Sequence, residues 1–456
     1  MIVNIQNIVD HINDTLVSWP LFIYVIGVCV ICTIALKFIQ FRYFFYAWKQ
    51  ILFPAKQLVE KKEQNKVDMT PLQAFINTLS TNLGNGAIAG MATAIYAGGP
   101  GAALWVIFFG FLVMVVRFAE VFLSMHYGSQ LDGSEATKLG GPMLYLRKVP
   151  FGPTLAYIYA LMCLPFGFLG GNGVQAKSIS VSLVTTFGKY GVTPLLCAIA
   201  LFLFMLYVLF GGAARVVKVS EQIMLVKVVV FFGTTLLVLA YHFQALPAAL
   251  ALIWKSAFTT TAASGALLGF TVQQAIRLGM ARSIFASESG LGTAAILFGH
   301  TGSKAAVKDG IISTLSTFLS TLVCFIVSLC IVASGVWNSG LKSTDLTIAA
   351  FSTVFGESIG GIAVSFLSIS FGIGVAVSYA YICREVWLFL TGGRWATLFA
   401  ILYCLCAFVS AIVDVKVVWD AATIPMCVML VINLFGIIYL LPVIKKSVDG
   451  FIQSNP

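Results

Sequence analysis

Two polar, glycine-containing segments interrupt long apolar stretches of this chain, one in each half. The first runs from Asn82 to Gly90 and the second from Thr259 to Gly269. Glycine lowers helix stability by about 1 kcal/mol relative to alanine, so we expect a broken helix at each segment. Unwound N–H groups at a half-helix N-terminus suit a carboxylate. Freed carbonyls, together with the Asn82 and Asn85 amides, suit a cation or an ammonium group.

Unwound backbone at membrane depth survives only where it lines a cavity within the protein. Two such segments at matching positions of two halves are typical of a transporter's binding site. In the second half, we expect Gly265 and Phe270 to line the wall of this site that faces the first segment. The alternative for the first segment is close helix packing, because Gly86 and Gly90 are spaced as in a packing motif.

Four further polar residues lie inside apolar spans. Asn172 and Gln175 are three residues apart and therefore share a helical face, which suits either a site or helix packing. Lys177 and Lys227 are unusual because a charge at membrane depth costs at least about 2.5–3.5 kcal/mol and usually serves function. The alternative for each lysine is that its side chain reaches the membrane surface.

Composition indicates a membrane protein, since 59% of the 456 residues are hydrophobic and only 10% are charged. We also expect Arg117 and Glu120, three apart in one span, to form a structural ion pair. We predict eleven transmembrane spans, at about residues 20–41, 73–97, 101–127, 154–186, 193–210, 220–242, 248–275, 305–334, 358–390, 395–413 and 420–442.

The distribution of basic residues predicts the orientation in the membrane. With the N-terminus outside, 19 Lys and Arg residues fall in inside segments and four in outside segments. This favours an external N-terminus and a cytoplasmic C-terminus in the cell inner membrane. The basic inside face also explains the net charge of +10 without a nucleic-acid partner. No cleavable signal peptide is expected, because residues 1–19 lack Lys and Arg.

Span order predicts an internal repeat. Residues 1–72 hold an extra N-terminal helix and a basic segment, and 443–456 form a cytoplasmic tail. The repeats are 73–243 and 244–442, with five spans each, so the second starts from the opposite membrane face. The expected class is an all-α integral membrane protein. A membrane-embedded enzyme and a passive channel are alternatives, but the chain has no GxSxG, HExxH or P-loop motif.

The motifs of this chain resemble those of the alanine or glycine:cation symporter family. The resemblance rests on the runs Gly84–Ile95, Gly98–Ala102, Arg117–Glu120, Gly140–Tyr145, Gly279–Arg282 and Glu288–Ala294. It implies a leucine-transporter-type fold with one extra N-terminal helix. It also implies import of a small neutral amino acid, chiefly alanine or glycine, usually with sodium.

The resemblance and the segment positions together imply roles for individual residues. The substrate backbone would contact the first break. Gly265 and Phe270 would close the wall opposite the break, and Asn172 and Gln175 would form a third wall of the site. The first-break residues in question are Leu83, Gly84, Asn85 and Gly86.

Departures from the family pattern concern the coupling ion. Ala87, Ser287 and Ser320 stand where the family usually has Asn or Asp, and Lys177 replaces an Asn. Sodium remains the expected ion, and a proton carried by Lys227 or Lys177 is the alternative. Asn82 and Ser378 are further ion-coupling candidates. No other cofactor is expected, and the protein is expected to act as a monomer in the lipid bilayer.

Overall fold

A computed structural model of the protein describes residues 19–54, 69–128, 140–259, 271–301 and 303–454. These residues form helices and connecting turns, with no strand among them. Two π-helical segments, Gly86–Gly90 and Gly167–Gly173, interrupt the α-helices. The main α-helices are α1 (Trp19–Ala35), α2 (Phe44–Leu52), α3 (Pro71–Asn82), α4 (Met91–Gly98), α5 (Ala102–Gly128), α6 (Gly152–Phe166), α7 (Val174–Phe187), α8 (Pro194–Leu209), α9 (Gly212–Tyr241), α10 (Leu246–Phe258), α11 (Val272–Ser287), α12 (Thr293–Gly299), α13 (Ala306–Ala333), α14 (Ser343–Thr391), α15 (Ala396–Ile412) and α16 (Val415–Ser454).

Many of these helices are long and apolar enough to cross a bilayer, which agrees with the predicted integral membrane protein. Six helical stretches within the described ranges meet that requirement: Ala102–Gly128, Gly152–Tyr190, Ala214–Tyr241, Ala306–Ala333, Ser343–Thr391 and Lys416–Ser454. Shorter apolar helices are Trp19–Ala35, Gly86–Gly98, Pro194–Leu209, Phe243–Phe258 and Ala396–Ile412. The count of eleven spans and the five-plus-five repeat stay predictions.

The first predicted helix break is present. Helix α3 begins with a capping box, in which Thr70 and Gln73 exchange side-chain to backbone hydrogen bonds of 2.9 and 3.2 Å. It ends at Asn82, because Leu83 leaves the helical conformation at φ −87° and ψ 73°. The chain then resumes as the π-helical segment and α4. The unwound residues are therefore Leu83 and Gly84, as the glycine-containing segment predicted.

A second break separates α11 from α12. Glu288 follows α11 with φ 53°, and Gly290 and Gly292 have φ 92° and 79°. These left-handed conformations end the helix, and glycine adopts them at little cost. Helix α12 then starts at Thr293. The second break among the described residues thus spans Glu288–Gly292.

Helix α11 runs antiparallel to α4, so the two breaks lie side by side. A Cβ atom at Gly98 would be 2.9 Å from Leu278, one at Gly90 would be 3.1 Å from Arg282, and one at Gly86 would be 3.4 Å from Phe285. Because these glycines have no side chain, the two helices can approach closely. Helix α11 therefore begins beside the C-terminal end of α4 and ends beside the first break.

The predicted seventh span, 248–275, is wrong at its C-terminal end. Helix α10 ends at Phe258, and α11 begins at Val272 and continues to Ser287. A second capping box, from Thr271 to Gln274, fixes the start of α11. The sequence argument ended this span at residue 275 because Arg277 and Arg282 were assigned to an inside segment, whereas α11 continues through both residues. Residues 260–270, including Gly265 and Phe270, lie outside the described residues.

Two further features shape the helices around the breaks. Gly171, in the second π-helical segment, lies so close to α14 that a Cβ atom there would be 2.2 Å from the Tyr379 ring. Only glycine fits such a contact without displacement of the ring. Gly356 interrupts α14 with φ 75° and ψ 164°, so the part of α14 after Gly356 forms a separate helix.

Candidate functional site

A small polar cavity lies between the two breaks. Its empty space, including the part open to solvent, is about 280 Å³. It is bounded by both breaks, by the second π-helical segment with α7, and by α14. The lining residues are Thr81, Asn82, Gly84, Gly86, Phe166, Gly170, Gln175, Phe285, Ala286, Glu288 and Val375.

Hydrogen bonds to neighbouring helices hold the first break open. The Asn85 backbone N–H donates to Gln175 Oε1 at 3.0 Å. The Asn85 side-chain amide donates to the Ser368 carbonyl at 3.0 Å, so that this side chain faces α14. Gln175 Nε2 donates weakly to the Gly170 carbonyl, 3.4 Å away. Gln175 therefore positions the unwound backbone and also lines the cavity.

The Asn82 side chain presents an unsatisfied donor at the cavity. Asn82 is 3% exposed, and its Nδ2 has no hydrogen-bond partner among the described residues. Buried polar groups are nearly always hydrogen-bonded, so an unpaired one calls for an explanation. A ligand acceptor within the cavity would supply the missing partner.

The Lys227 ammonium occupies a ring of oxygen atoms at the first break. Its Nζ lies 2.9 Å from the Ser80 carbonyl oxygen, 3.2 Å from Ser80 Oγ and 3.0 Å from the Leu83 carbonyl oxygen. The Phe371 ring centroid is 5.6 Å away, and the lysine is fully buried. These three acceptors match the three donors of an ammonium. The carbonyls freed by the break thus bind a cation that belongs to the chain itself.

The structure separates the other ion-coupling candidates. Ser378 hydrogen-bonds Ser220 at 2.7 Å, one helical turn beyond Gly374, whose Cβ position would be 2.9 Å from Lys227 Nζ. Lys177 is partly exposed, and its Nζ is 3.5 Å from the Ile412 carbonyl at the end of α15. Lys177 therefore lies away from the cavity and from the oxygen ring.

A buried ion pair anchors the second break, as the sequence predicted for Arg117 and Glu120. Their side chains are 2.7 Å apart and both are fully buried. Glu120 Oε2 accepts from the backbone N–H groups of Gly290 at 3.1 Å and Gly292 at 3.0 Å. Arg117 donates to the Ser287 carbonyl. The pair therefore fixes the backbone on both sides of Glu288.

An aromatic pair covers the cavity on the α11 side. The Phe285 ring lines the cavity, and its centroid is 4.7 Å from the Trp419 ring of α16. The Arg282 guanidinium lies over the Trp419 ring, 5.0 Å from its centroid. These contacts join α11 to α16 beside the cavity.

The predicted substrate residues that the structure describes, which exclude Gly265 and Phe270, fall into three groups. Gly84, Gly86 and Gln175 line the cavity, as does the ion candidate Asn82. Leu83 and Asn85 belong to the same break, but Leu83 directs its carbonyl to Lys227 and Asn85 its side chain to Ser368. Asn172 instead donates to the Tyr403 carbonyl at 2.7 Å, which is a packing contact with α15.

Sequence reasoning missed the wall formed by Phe285, Ala286 and Glu288. The available signal was an acidic residue followed by two glycines, Gly290 and Gly292, at the end of an apolar helix. The sequence predicted equally a gate or a cytoplasmic-loop ion pair for Arg282 and Glu288, and it did not predict a wall of the binding site. The contact between α11 and α4 is what places it at the first break.

Two broken helices around a small polar cavity, within a bundle of apolar helices, define a membrane transporter. The chain belongs to the sodium:alanine symporter family, whose model matches residues 2–455. It is 30% identical over 452 residues to an uncharacterized transporter of Haemophilus influenzae, covering 98% of this chain and 96% of the relative. It is also 29% identical to the sodium/alanine symporter AgcS of Methanococcus maripaludis over 454 residues, covering 98% and 97% of the two chains. The probable sodium/glutamine symporter GlnT of Bacillus subtilis is 29% identical over 459 residues, covering 99% and 92%.

The family assignment confirms the coarse functional prediction. The chain is a multi-pass, cation-coupled amino-acid transporter by family. A family of symporters also points away from an enzyme.

Proposed function

We propose that this protein imports a small neutral amino acid, such as alanine or glycine, together with a cation. The observation that carries the proposal is the cavity between the Leu83–Gly84 break and the Glu288–Gly292 break. Movement of one helix group against the other around such a site gives alternating access. Both broken helices belong to one chain, so a monomer is sufficient for the cycle.

The cavity walls favour a small side chain on the substrate. A Cβ atom at Gly84 would be 2.7 Å from Val375, and one at Gly86 would be 3.4 Å from Phe285. The space between these walls therefore has little room beyond the backbone of a ligand. The relative GlnT is named for glutamine, so the size of the substrate is the part of this proposal most in need of a test.

Substrate selectivity can be tested by measuring how unlabelled amino acids compete with the uptake of labelled alanine into proteoliposomes. Alanine, glycine and serine should compete strongly, and leucine and tryptophan weakly. In Val375→Ala, which enlarges the wall opposite Gly84, leucine should compete better than it does in the wild type. Tryptophan competition equal to that of alanine in the wild type would contradict a small site.

The proposed orientation has the N-terminus outside and the C-terminus in the cytoplasm, within the cell inner membrane. It rests on the excess of basic residues in the predicted inside segments. The position of α11 beside α4 removes Arg277 and Arg282 from those segments. The excess persists without them, so the proposed orientation is unchanged.

Sodium is the proposed coupling ion on family grounds, since the family and two of the relatives reported above carry sodium in their names. Proton coupling through Lys227 is a second candidate, favoured by one specific observation. The Lys227 ammonium already fills a ring of three oxygen atoms that includes two carbonyls freed by the first break. A metal cation cannot bind those oxygens while the ammonium stays there. Lys177 lies outside this ring and is not proposed for coupling.

The ion is tested by imposing sodium and proton gradients separately on wild-type proteoliposomes. Alanine uptake driven by sodium alone supports sodium coupling. Uptake driven by a proton gradient in sodium-free buffer supports the Lys227 mechanism. A requirement for both gradients would assign one ion to the Lys227 ring and the other to a separate site.

A further inference from the structure

We infer that Glu288 binds the ammonium group of the substrate, so that the site accepts zwitterionic α-amino acids and rejects analogues that lack the amine. This inference rests on the proposed function and assigns the polarity of the same cavity. It makes Glu288 a specificity-determining residue.

The backbone directs Glu288 into the cavity. Its φ of 53° is uncommon for a residue other than glycine, and its side chain lines the space between the breaks. The Glu120 contacts to Gly290 and Gly292, together with the Arg117 contact to Ser287, fix the chain on both sides. Glu288 is therefore held in this unusual conformation by the surrounding structure.

Hydroxyl groups surround the Glu288 carboxylate, and it has no salt bridge within the described part of the chain. Thr293 Oγ1 donates to its Oε2 at 2.8 Å, and the Thr81 and Tyr379 hydroxyls also face it. The residue is 5% exposed. Hydroxyl donors hold a carboxylate in place without neutralising its charge, and Arg117, whose charge also acts on Glu288, is already paired with Glu120.

Each nearby cation is engaged elsewhere. Arg117 is paired with Glu120 at 2.7 Å, and the Lys227 ammonium donates to Ser80 and Leu83. The Arg282 guanidinium lies over the Trp419 ring. A buried carboxylate without a partner is costly, so a ligand that brings an ammonium group compensates it.

The Asn82 amide is a second group in the cavity, and it suits the carboxylate end of an amino acid. The unpaired Asn82 amide donor and the Glu288 carboxylate line the same cavity. A ligand with one cationic and one anionic end can pair its ammonium group with Glu288 and its carboxylate with the Asn82 amide. An α-amino acid has this pattern, whereas a hydroxy acid or a simple carboxylic acid satisfies only the Asn82 end.

The test measures binding of labelled alanine to the purified full-length protein in lipid nanodiscs, with lactate as the analogue that has a hydroxyl in place of the amine. In the wild type, lactate should compete at least about 30-fold more weakly than alanine, because an unpaired buried charge remains. Glu288→Gln should weaken alanine binding by at least about 30-fold and leave lactate competition unchanged or stronger. Glu288→Asp should retain part of the affinity. Glu357→Gln, which neutralises an exposed carboxylate on α14, is the matched control and should bind alanine like the wild type.

The outcomes separate this inference from the proposed function. Wild-type protein that binds alanine, together with a folded Glu288→Gln variant of equal affinity, would overturn the role of Glu288 alone. If Glu288→Gln does not elute as a monodisperse protein, the wild-type competition decides, and equal competition by lactate and alanine overturns the inference. Failure of the wild type to bind any small neutral amino acid would instead overturn the proposed substrate.

Discussion

The Lys227 ammonium lies 2.9 Å from the Ser80 carbonyl oxygen, and this contact joins the middle of α9 to the last turn of α3. The carbonyl is available because the helix unwinds at Leu83, whose own carbonyl also accepts from Lys227 at 3.0 Å. A change of charge on Lys227 would therefore act directly on the broken helix.

Lys227 variants test whether that charge takes part in coupling. In sodium-free proteoliposomes with an imposed proton gradient, Lys227→Met should take up no alanine, because the proton-carrying group is gone. Lys227→Arg should fail as well, since arginine keeps its charge and does not release a proton. Lys177→Met is the control and should retain uptake, because Lys177 is partly exposed and remote from the ring. Wild-type uptake that requires sodium, with full sodium-driven activity in Lys227→Met, would rule out the mechanism.

Gly86 should tolerate no large side chain. A Cβ atom there would be 3.4 Å from the Phe285 ring, so the further atoms of Gly86→Leu would fill the cavity or displace the ring. We expect uptake to be abolished in Gly86→Leu, with normal membrane insertion, and to be reduced in Gly86→Ala. Gly233→Leu is the matched control, because nothing lies within 4 Å of the Cβ position at Gly233. Uptake by Gly86→Leu at the wild-type rate would remove the first break from the binding site.

Glu120→Gln should destabilise the protein and impair transport together. The variant loses the charge that compensates Arg117, and breaking a buried ion pair typically costs about 3–5 kcal/mol. It also weakens the acceptor for the Gly290 and Gly292 N–H groups. We expect a clear fall in the thermal unfolding midpoint of the detergent-purified protein, measured by dye fluorescence. Glu357→Gln should leave the midpoint unchanged, and equal midpoints for both variants would contradict an anchoring role.

Cysteine labelling of intact cells tests the proposed orientation. Nine of the ten native cysteines are buried and all ten are unpaired, so background labelling by a membrane-impermeant maleimide should be low. Lys342→Cys, at the predicted outer end of α14, should be labelled from outside. Lys62→Cys, in the predicted cytoplasmic segment, should react only after the cells are permeabilised. Labelling of the residue 62 variant in intact cells would reverse the topology.

The first break could be predicted from the sequence, but the second break, at Glu288–Gly292, could not. Gly84 and Gly86 weaken a helix wherever it lies, so the break near Leu83 follows from local energetics. The break at Glu288 depends on the pairing of α11 with α4, which no local pattern encodes. The sequence therefore left Glu288 open between a gate and a cytoplasmic-loop ion pair, whereas the structure places it at the cavity.

The two lysines illustrate the same limit. Lys177 and Lys227 both fall within apolar spans, and the cost of burial applies equally to each. Which one meets the freed carbonyls depends on the face that each helix turns toward α3. The structure places Lys227 there and leaves Lys177 beside the end of α15.

The glycines at the contact between α4 and α11 let a position distant from the cavity affect the affinity for the substrate. Gly98 lies well away from the cavity, yet a Cβ atom there would be 2.9 Å from the Leu278 side chain and 3.5 Å from the Ala275 backbone. A methyl group there displaces only the flexible end of the Leu278 side chain, but a larger side chain would press on the Ala275 backbone and act as a wedge, because packed helices shift as rigid bodies rather than deform locally. The wedge would tilt α11 away from α4 and carry Phe285 with it. The width of the binding cavity is thus set partly at the opposite end of the same helix pair.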